Sequence, residues 1–453
     1  MTTDVVGDED REPTGNEGEP ASRMDTLKSC LHKLAQEVLV RARDDSSQLK
    51  LGVHRTALYS DAGDREVTGL GSFAPSTEAL LLVTGFTDIA DPSEVGRVVL
   101  QFTYDCLERH HAPEFDTTAF DQTWASFVEE LTTPYWRFLS VCQLENFVSD
   151  AQFLDLGDGI SIHDRTTYGF EEHGWSDFQV KTLYSDWNYA SNFILLAEEL
   201  VPKAPTNLIL GGTTEPIMKS HRMIRALRLA KEGDVHIGGD SVIGRMLTNR
   251  PAGSGFTPNG GSSTHGTSPR WPGPPFSIST SDIARVTTLY DQLTVIGAMQ
   301  GRTPYNLDLA LRSFHSSYDR IPAMADTRMV DLVTAAEALL GTENEIIFRL
   351  SFRMAGLLAS SDAERTAIFG DMKAFYDTRS KVVHGAPLKP KHQACLKNYS
   401  VLRDHVRRII VGFLCLATSS SHSYSGKFFT EQLDAALQDG RQRDDLRTAM
   451  GLN

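Results

Sequence analysis

From residue 279 onward almost every segment places apolar residues at helical spacing, which restricts the second half of the chain to a packed set of helices. The segments are "STSDIARVTTLYDQLTVIGAM", "NLDLALRSFHSSYDR", "MADTRMVDLVTAAEALLG", "NEIIFRLSFRMAGLLAS", "SDAERTAIFGDMKAFYDTRSKVVHG" and "KPKHQACLKNYSVLRDHVRRIIVGFLCLA". Short polar links join them, as in antiparallel bundles. A last helix is expected at "FFTEQLDAALQDG", after the loop "TSSSHSYSG".

The first half is mixed. "RMDTLKSCLHKLAQEVLVRA" sets Leu27, Leu31, Leu34 and Val38 on one side of a helix. "ALLLVTGF" is read as a buried strand, and "PSEVGRVVLQFTYDCLERH" as a helix opened by proline and serine. "AQFLDLGDGISIHD" gives two strands joined across Gly157, Asp158 and Gly159, and helices are expected at "SDWNYASNFILLAEEL" and "SHRMIRALRLAK". The expected fold class is α+β, a mixed N-terminal domain followed by an all-α bundle. Residues 250–278 are so rich in Gly, Pro and Ser that they read as a loop or linker. The resulting order is an acidic disordered tail (1–23), an α+β domain (24–249), the linker, a helical domain (279–420) and a C-terminal loop and helix (421–453).

Charge and composition narrow the function. The net charge of -15 disfavours a protein that coats nucleic acid through a wide basic surface. Residues 345–410 invert the balance, with twelve Lys and Arg against six Asp and Glu. No apolar run approaches the roughly 20 residues that cross a bilayer, and the N-terminus lacks a signal-peptide pattern, so no membrane partner and a cytoplasmic location are expected. Cys30, Cys106, Cys142, Cys395 and Cys415 have no paired metal-ligand spacing and read as reduced thiols.

Inside the basic region, "FYDTRSKVVHGAP" (375–387) ends a helical stretch with Gly385 and Pro387. Ile368, Met372, Phe375, Arg379 and Val382 fall on one narrow stripe, so Arg379 sits where a core residue belongs. An unpaired buried guanidinium is costly, so the stripe either faces a polar cleft or an acid answers the arginine. His384 lies five residues on, about 140° further around the helix. Convergence of the two side chains therefore needs a frayed last turn or a symmetric second subunit. A guanidinium suits phosphate oxygens and an imidazole suits proton transfer near neutral pH, and together they fit phosphodiester chemistry.

"LVTAAEALLG", "IIFRLSFRMAGLLAS" and "FYDTRSKVVHG" together resemble the HEPN superfamily, and within it the Apea-like HEPN group, over about residues 279–420. The region before them resembles an Apea-type N-terminal domain. "RSKVVH" is similar to the R-x4-6-H motif of that superfamily. Ser380 follows the arginine where many members have Asn, Asp or His, and the serine suits the Apea-like subgroup. The resemblance implies a helical homodimer and metal-independent cleavage of RNA in active members, with Arg379 and His384 as the catalytic pair. It also makes a role in antiviral defence or stress plausible, with the N-terminal domain as sensor or regulator. Tyr376, Ser380 and Lys381 flank the pair as substrate-binding candidates, although Lys381 also fits as a cation favoured in a last helical turn. Glu337 either faces solvent or answers Arg379, Arg349 or Arg353. The alternatives are a HEPN module that dimerises and binds RNA or protein without turnover, and a structural bundle in which Arg379 is locked to an acid such as Glu337.

Other constellations carry less. "ILGGTTEP" and "GDVHIGGDS" contain neither phosphate-loop glycine pattern and read as turns. Asp234, His236 and Asp240 form a loose D-x-H without a second cluster, and His110 and His111 have no evident partner. All five read as surface residues, and no metal or other cofactor is expected.

Overall fold

The computed structural model describes residues 20–44, 47, 49, 61–84, 92–110, 114–132, 135–169, 192–202, 215–247, 250–251, 256–257, 273–299, 303–319, 324–341, 345–419 and 426–452. The acidic tail up to residue 19, most of the 250–278 segment and His111 lie outside these residues. The fold is α+β. Its contacts gather into two compact units: Met1–Arg137 with Leu200–Gly212 and Gly244–Phe256, and Phe138–Glu199 with Thr213–Ile243 and Thr257–Asn453. One of the crossings between the two units, at Phe256–Thr257, falls within the 250–278 segment.

The described helices of the first unit are α1 (Pro20–Arg41), α2 (Asp61–Thr68), α3 (Phe73–Thr84), α4 (Pro92–Arg109) and α5 (Thr117–Thr132). The α1 stripe of Leu27, Leu31, Leu34 and Val38 is fully buried, against Val95, Val99 and Phe102 of α4 among others. Phe102 packs edge-on to Phe120 and Phe127 of α5. "ALLLVTGF" is not a strand, because its apolar run completes α3, with Ala79 and Leu80 buried in this helical core. A short apolar run fits a buried strand or a buried helix equally well until its neighbours are known. His110 is likewise no surface residue. It is buried at the end of α4, with Nδ1 2.6 Å from the Cys106 carbonyl.

The strands carried largely by the second unit are β1 (Tyr135–Glu145), β3 (Phe153–Gly157), β4 (Ile160–Asp164), β5 (Phe193–Pro202) and β6 (His236–Leu247), in the order β3-β4-β5-β1-β6; β1, β5 and β6 also include residues of the first unit. The β3–β4 hairpin forms across Gly157, Asp158 and Gly159 as expected. Antiparallel pairing of Ile160 with Ala197 and Ile162 with Leu195 turns these side chains to one buried face. "FILLAEEL" is thus strand β5 and not the end of a helix. Its apolar run is buried by pairing with β4, which periodicity along the chain does not reveal. A short parallel pair, β2 (Phe147–Ser149) with β7 (Phe276–Ile278), stacks Phe147 on Phe276.

The helices of this unit are α6 (Glu215–Ala230), α7 (Ile283–Ala298), α8 (Leu307–Asp319), α9 (Ala325–Leu340), α10 (Ile346–Leu358), α11 (Asp362–Val383), α12 (Pro390–Lys397), α13 (Tyr399–Thr418), α14 (Leu433–Gln438) and α15 (Gly440–Ala449). One continuous core runs from Leu144 and Ile162 of the sheet through Met223 and Leu227 of α6 to Met329, Met354, Met372 and Phe413 of the later helices. This shared core is why residues 138–199 and 213–243 belong with the C-terminal helices. The segment "KPKHQACLKNYSVLRDHVRRIIVGFLCLA" is two helices, separated at Asn398.

Candidate functional site

Helix α11 carries the arginine–histidine motif. Ser361 starts it, its hydroxyl accepting from the Glu364 amide, while the Glu364 carboxylate accepts from the Ser360 amide and hydroxyl. Ile368, Met372 and Phe375 are buried as the stripe predicts, and Thr378 joins them. The helix ends in a Schellman turn: the Ala386 amide reaches the Lys381 carbonyl at 2.9 Å and the Gly385 amide the Val382 carbonyl at 3.1 Å. Gly385 holds φ +62°, the left-handed conformation this turn requires.

Arg379 is half-buried, its side chain 23% exposed, and donates from Nη2 to Oε2 of Glu337 on α9 at 3.3 Å. Of the three arginines Glu337 was placed to answer, it meets this one; Arg353 is taken by Asp434, and Arg349 lies near Glu345 and Asp434. The Arg379 Nε is buried without a hydrogen-bond partner among the described residues. Its guanidinium carbon lies 5.9 Å from the Tyr376 ring centre. Burial, reinforced by the Glu337 carboxylate, raises the pKa of the Tyr376 hydroxyl, so the phenol stays protonated beside the arginine. Arg379, Glu337 and Tyr376 therefore form one polar cluster set into an apolar helix interface.

His384 is elsewhere on the same helix. It is the exposed C-cap residue, and its imidazole makes no hydrogen bond to a described residue. Ser380 and Lys381 are half-buried in the last turn, where the Ser380 carbonyl accepts from the His384 amide. A rotation of about 140° separates Arg379 from His384 on the helix, so one copy of the chain directs them to different sides.

Sequence reasoning missed the clamp beside His384. Asp377, two turns earlier on the His384 side, takes Lys391 Nζ at 2.9 Å and His392 Nε2 at 3.1 Å with the same oxygen. His392 is buried and its Nδ1 accepts from the Lys389 amide, so Nε2 carries the donated proton. Lys391, and with it His392, holds the Asp377 carboxyl below its usual pKa. The clamp pins α12 to α11 across the turn that bears His384. Its only trace in the sequence is an acid seven residues before the histidine.

The basic balance of 345–410 is mostly consumed internally: Arg353, Arg365, Arg403 and Arg407 all pair with carboxylates, leaving Lys373, Lys389 and Lys397 among the exposed cations. Among the described residues no group of three His, Cys, Asp or Glu side chains is arranged to hold a metal ion. No helix among them is long and apolar enough to cross a membrane. Comparison with family models, curated proteins and solved structures gave no match.

Proposed function

We propose that the protein is a HEPN-type, metal-independent endoribonuclease acting on single-stranded RNA as a homodimer in the cytoplasm. The observation that carries this reading is an exposed imidazole, His384, at a helix C-terminus five residues after the half-buried guanidinium of Arg379. The substrate's own 2′-hydroxyl attacks the adjacent phosphorus and the bond to the 5′-oxygen breaks. The products are a 2′,3′-cyclic phosphate and a 5′-hydroxyl. His384 moves the proton, taking it from the nucleophile or delivering one to the leaving oxygen. Arg379 donates to the phosphoryl oxygens as negative charge builds on them. Because the two side chains leave α11 in different directions, the reading requires two copies, with the arginine of one and the histidine of the other meeting on one phosphate. Tyr376, Ser380 and Lys381 lie beside the strand's path.

A second reading has its own observation. The Glu337 carboxylate already occupies Arg379, as expected of a module that dimerises and binds RNA or protein without turnover. Incubating purified protein with single-stranded RNA in EDTA separates the two. Cleavage leaving a 2′,3′-cyclic phosphate is the expected result, and RNA retained intact overturns the catalytic reading.

A further inference from the structure

The most heavily charged place in the core of the second unit lies away from α11. Arg328 of α9 is 0% exposed and Arg403 of α13 is 2% exposed, and both reach Asp234, which the sequence reading placed at the surface and which is also fully buried. Arg403 Nη1 is 2.8 Å from Asp234 Oδ1, and Arg328 Nη1 is 3.6 Å from Oδ2. The Gly273 amide donates to Oδ2 as well, and a side chain at Gly273 would collide with the Asp234 carboxylate. His236 Nε2 stands 3.3 Å from Oδ1. Tyr318 of α8 lies under two guanidiniums, 4.6 Å from that of Arg228 and 4.7 Å from that of Arg403.

Two features of this cluster do not balance. Arg228 is answered by Asp319, whose side chain is 62% exposed, but Arg328 and Arg403 share the single carboxylate of Asp234. Burial, with the Arg228 guanidinium nearby, lowers the His236 pKa, so the ring is a neutral neighbour at neutral pH. Counting the carboxylates that pair with these three arginines among the described residues, one positive charge is thus left over in a dry interior, where an unanswered charge is strongly unfavourable. The second feature is chemical. Arg328 Nε, Arg403 Nη2 and Tyr318 Oη are buried and have no hydrogen-bond partner among the described residues. All three can donate, and the two guanidinium nitrogens can do nothing else.

We infer that this cluster is a binding site for a small inorganic anion of halide size, which accepts hydrogen bonds from Arg328 Nε, Arg403 Nη2 and Tyr318 Oη. A cation fails on both counts, since it would add charge and meet donors. A water molecule would satisfy the donors and leave the charge. The small size follows from the near-complete burial of Arg328, Arg403 and Tyr318. The anion acts as a structural ligand joining α8, α9 and α13 to the segment that leads into β6.

Thermal unfolding in sodium chloride against sodium gluconate, at matched ionic strength, tests the site. The wild-type midpoint should rise with chloride and saturate, and Tyr318→Phe should lose most of that rise. An unused buried hydroxyl behaves in the opposite way: its removal leaves stability unchanged or higher in both salts. Equal midpoints for wild type in the two salts, or a Tyr318→Phe protein that keeps the full chloride response, would overturn the assignment. Should Tyr318→Phe fail to fold, wild-type crystals grown in bromide decide. An anomalous peak among the three donors supports the site, and its absence at saturating bromide excludes it.

Discussion

Arg379 shows how one residue can be legible in type and position while its partner is not. The 4, 3, 4, 3 spacing from Ile368 to Val382 puts the arginine on the buried side of α11, and the structure holds it there, half-buried. That Glu337 of α9, 42 residues earlier, is the acid that answers it depends on how two helices pack, which spacing along one helix does not report. The ion pair is partly exposed, so Glu337→Gln should cost no more than about 1 kcal/mol in urea unfolding. The same change releases the guanidinium, so RNA binding should tighten and become more salt-sensitive in anisotropy titrations. Unchanged binding would separate Arg379 from the nucleic acid. Phe375→Ala, on the same stripe but buried among apolar residues, should cost about 3 to 5 kcal/mol.

At the scale of elements, the helices after residue 279 were readable because their apolar faces repeat at the helical period, and the α11 stop was readable because Gly385 and Pro387 mark it. Strand β5 and helix α3 were not, since "FILLAEEL" and "ALLLVTGF" are short apolar runs whose form is set by what they pack against. The α11 terminus gives a direct prediction: Gly385→Ala forces an alanine to φ +62° and should cost about 1 kcal/mol. Hydrogen exchange should quicken at the Gly385 and Ala386 amides, and unchanged protection would mean the turn is not held by this geometry. Helix α8 gives another. His315 is buried, neither ring nitrogen has a hydrogen-bond partner among the described residues, and burial, with the Arg228 and Arg225 guanidiniums, pushes its pKa well below 6.5. As the pH falls through about 6.5, the unfolded chain takes up a proton here that the folded chain refuses, so stability is full above that pH and declines below it. His236 and His405 are shifted in the same direction. Urea midpoints should drop between pH 7.5 and 5.5, and His315→Phe should make that drop smaller by up to about 1.4 kcal/mol per pH unit.

For the molecule as a whole, composition and periodicity indicated an α+β chain. The Gly/Pro/Ser-rich stretch at 250–278 contains one crossing between the units, and Leu144, Ile162 and Leu227 share a core with Met354, Met372 and Phe413 on its far side. A fragment of residues 279–453 should therefore expose the apolar surface that meets the sheet and α6, bind a hydrophobic dye and melt without a sharp transition. Cooperative unfolding of that fragment at full-length stability would show that the helices close their own core. The proposed chemistry is also a property of more than one chain, because Arg379 and His384 diverge on α11. His384→Ala should retain RNA binding while cleavage falls by on the order of 10² to 10⁴, and Arg379→Ala should weaken both. Mixing these two variants is the most direct test of a site shared between subunits. The account predicts that an equimolar mixture of the two variants, in which random pairing makes about half the dimers heterodimers with one intact site each, recovers about a quarter of the wild-type rate. Heterodimers that form and fold normally yet cleave no faster than their parents would contradict it.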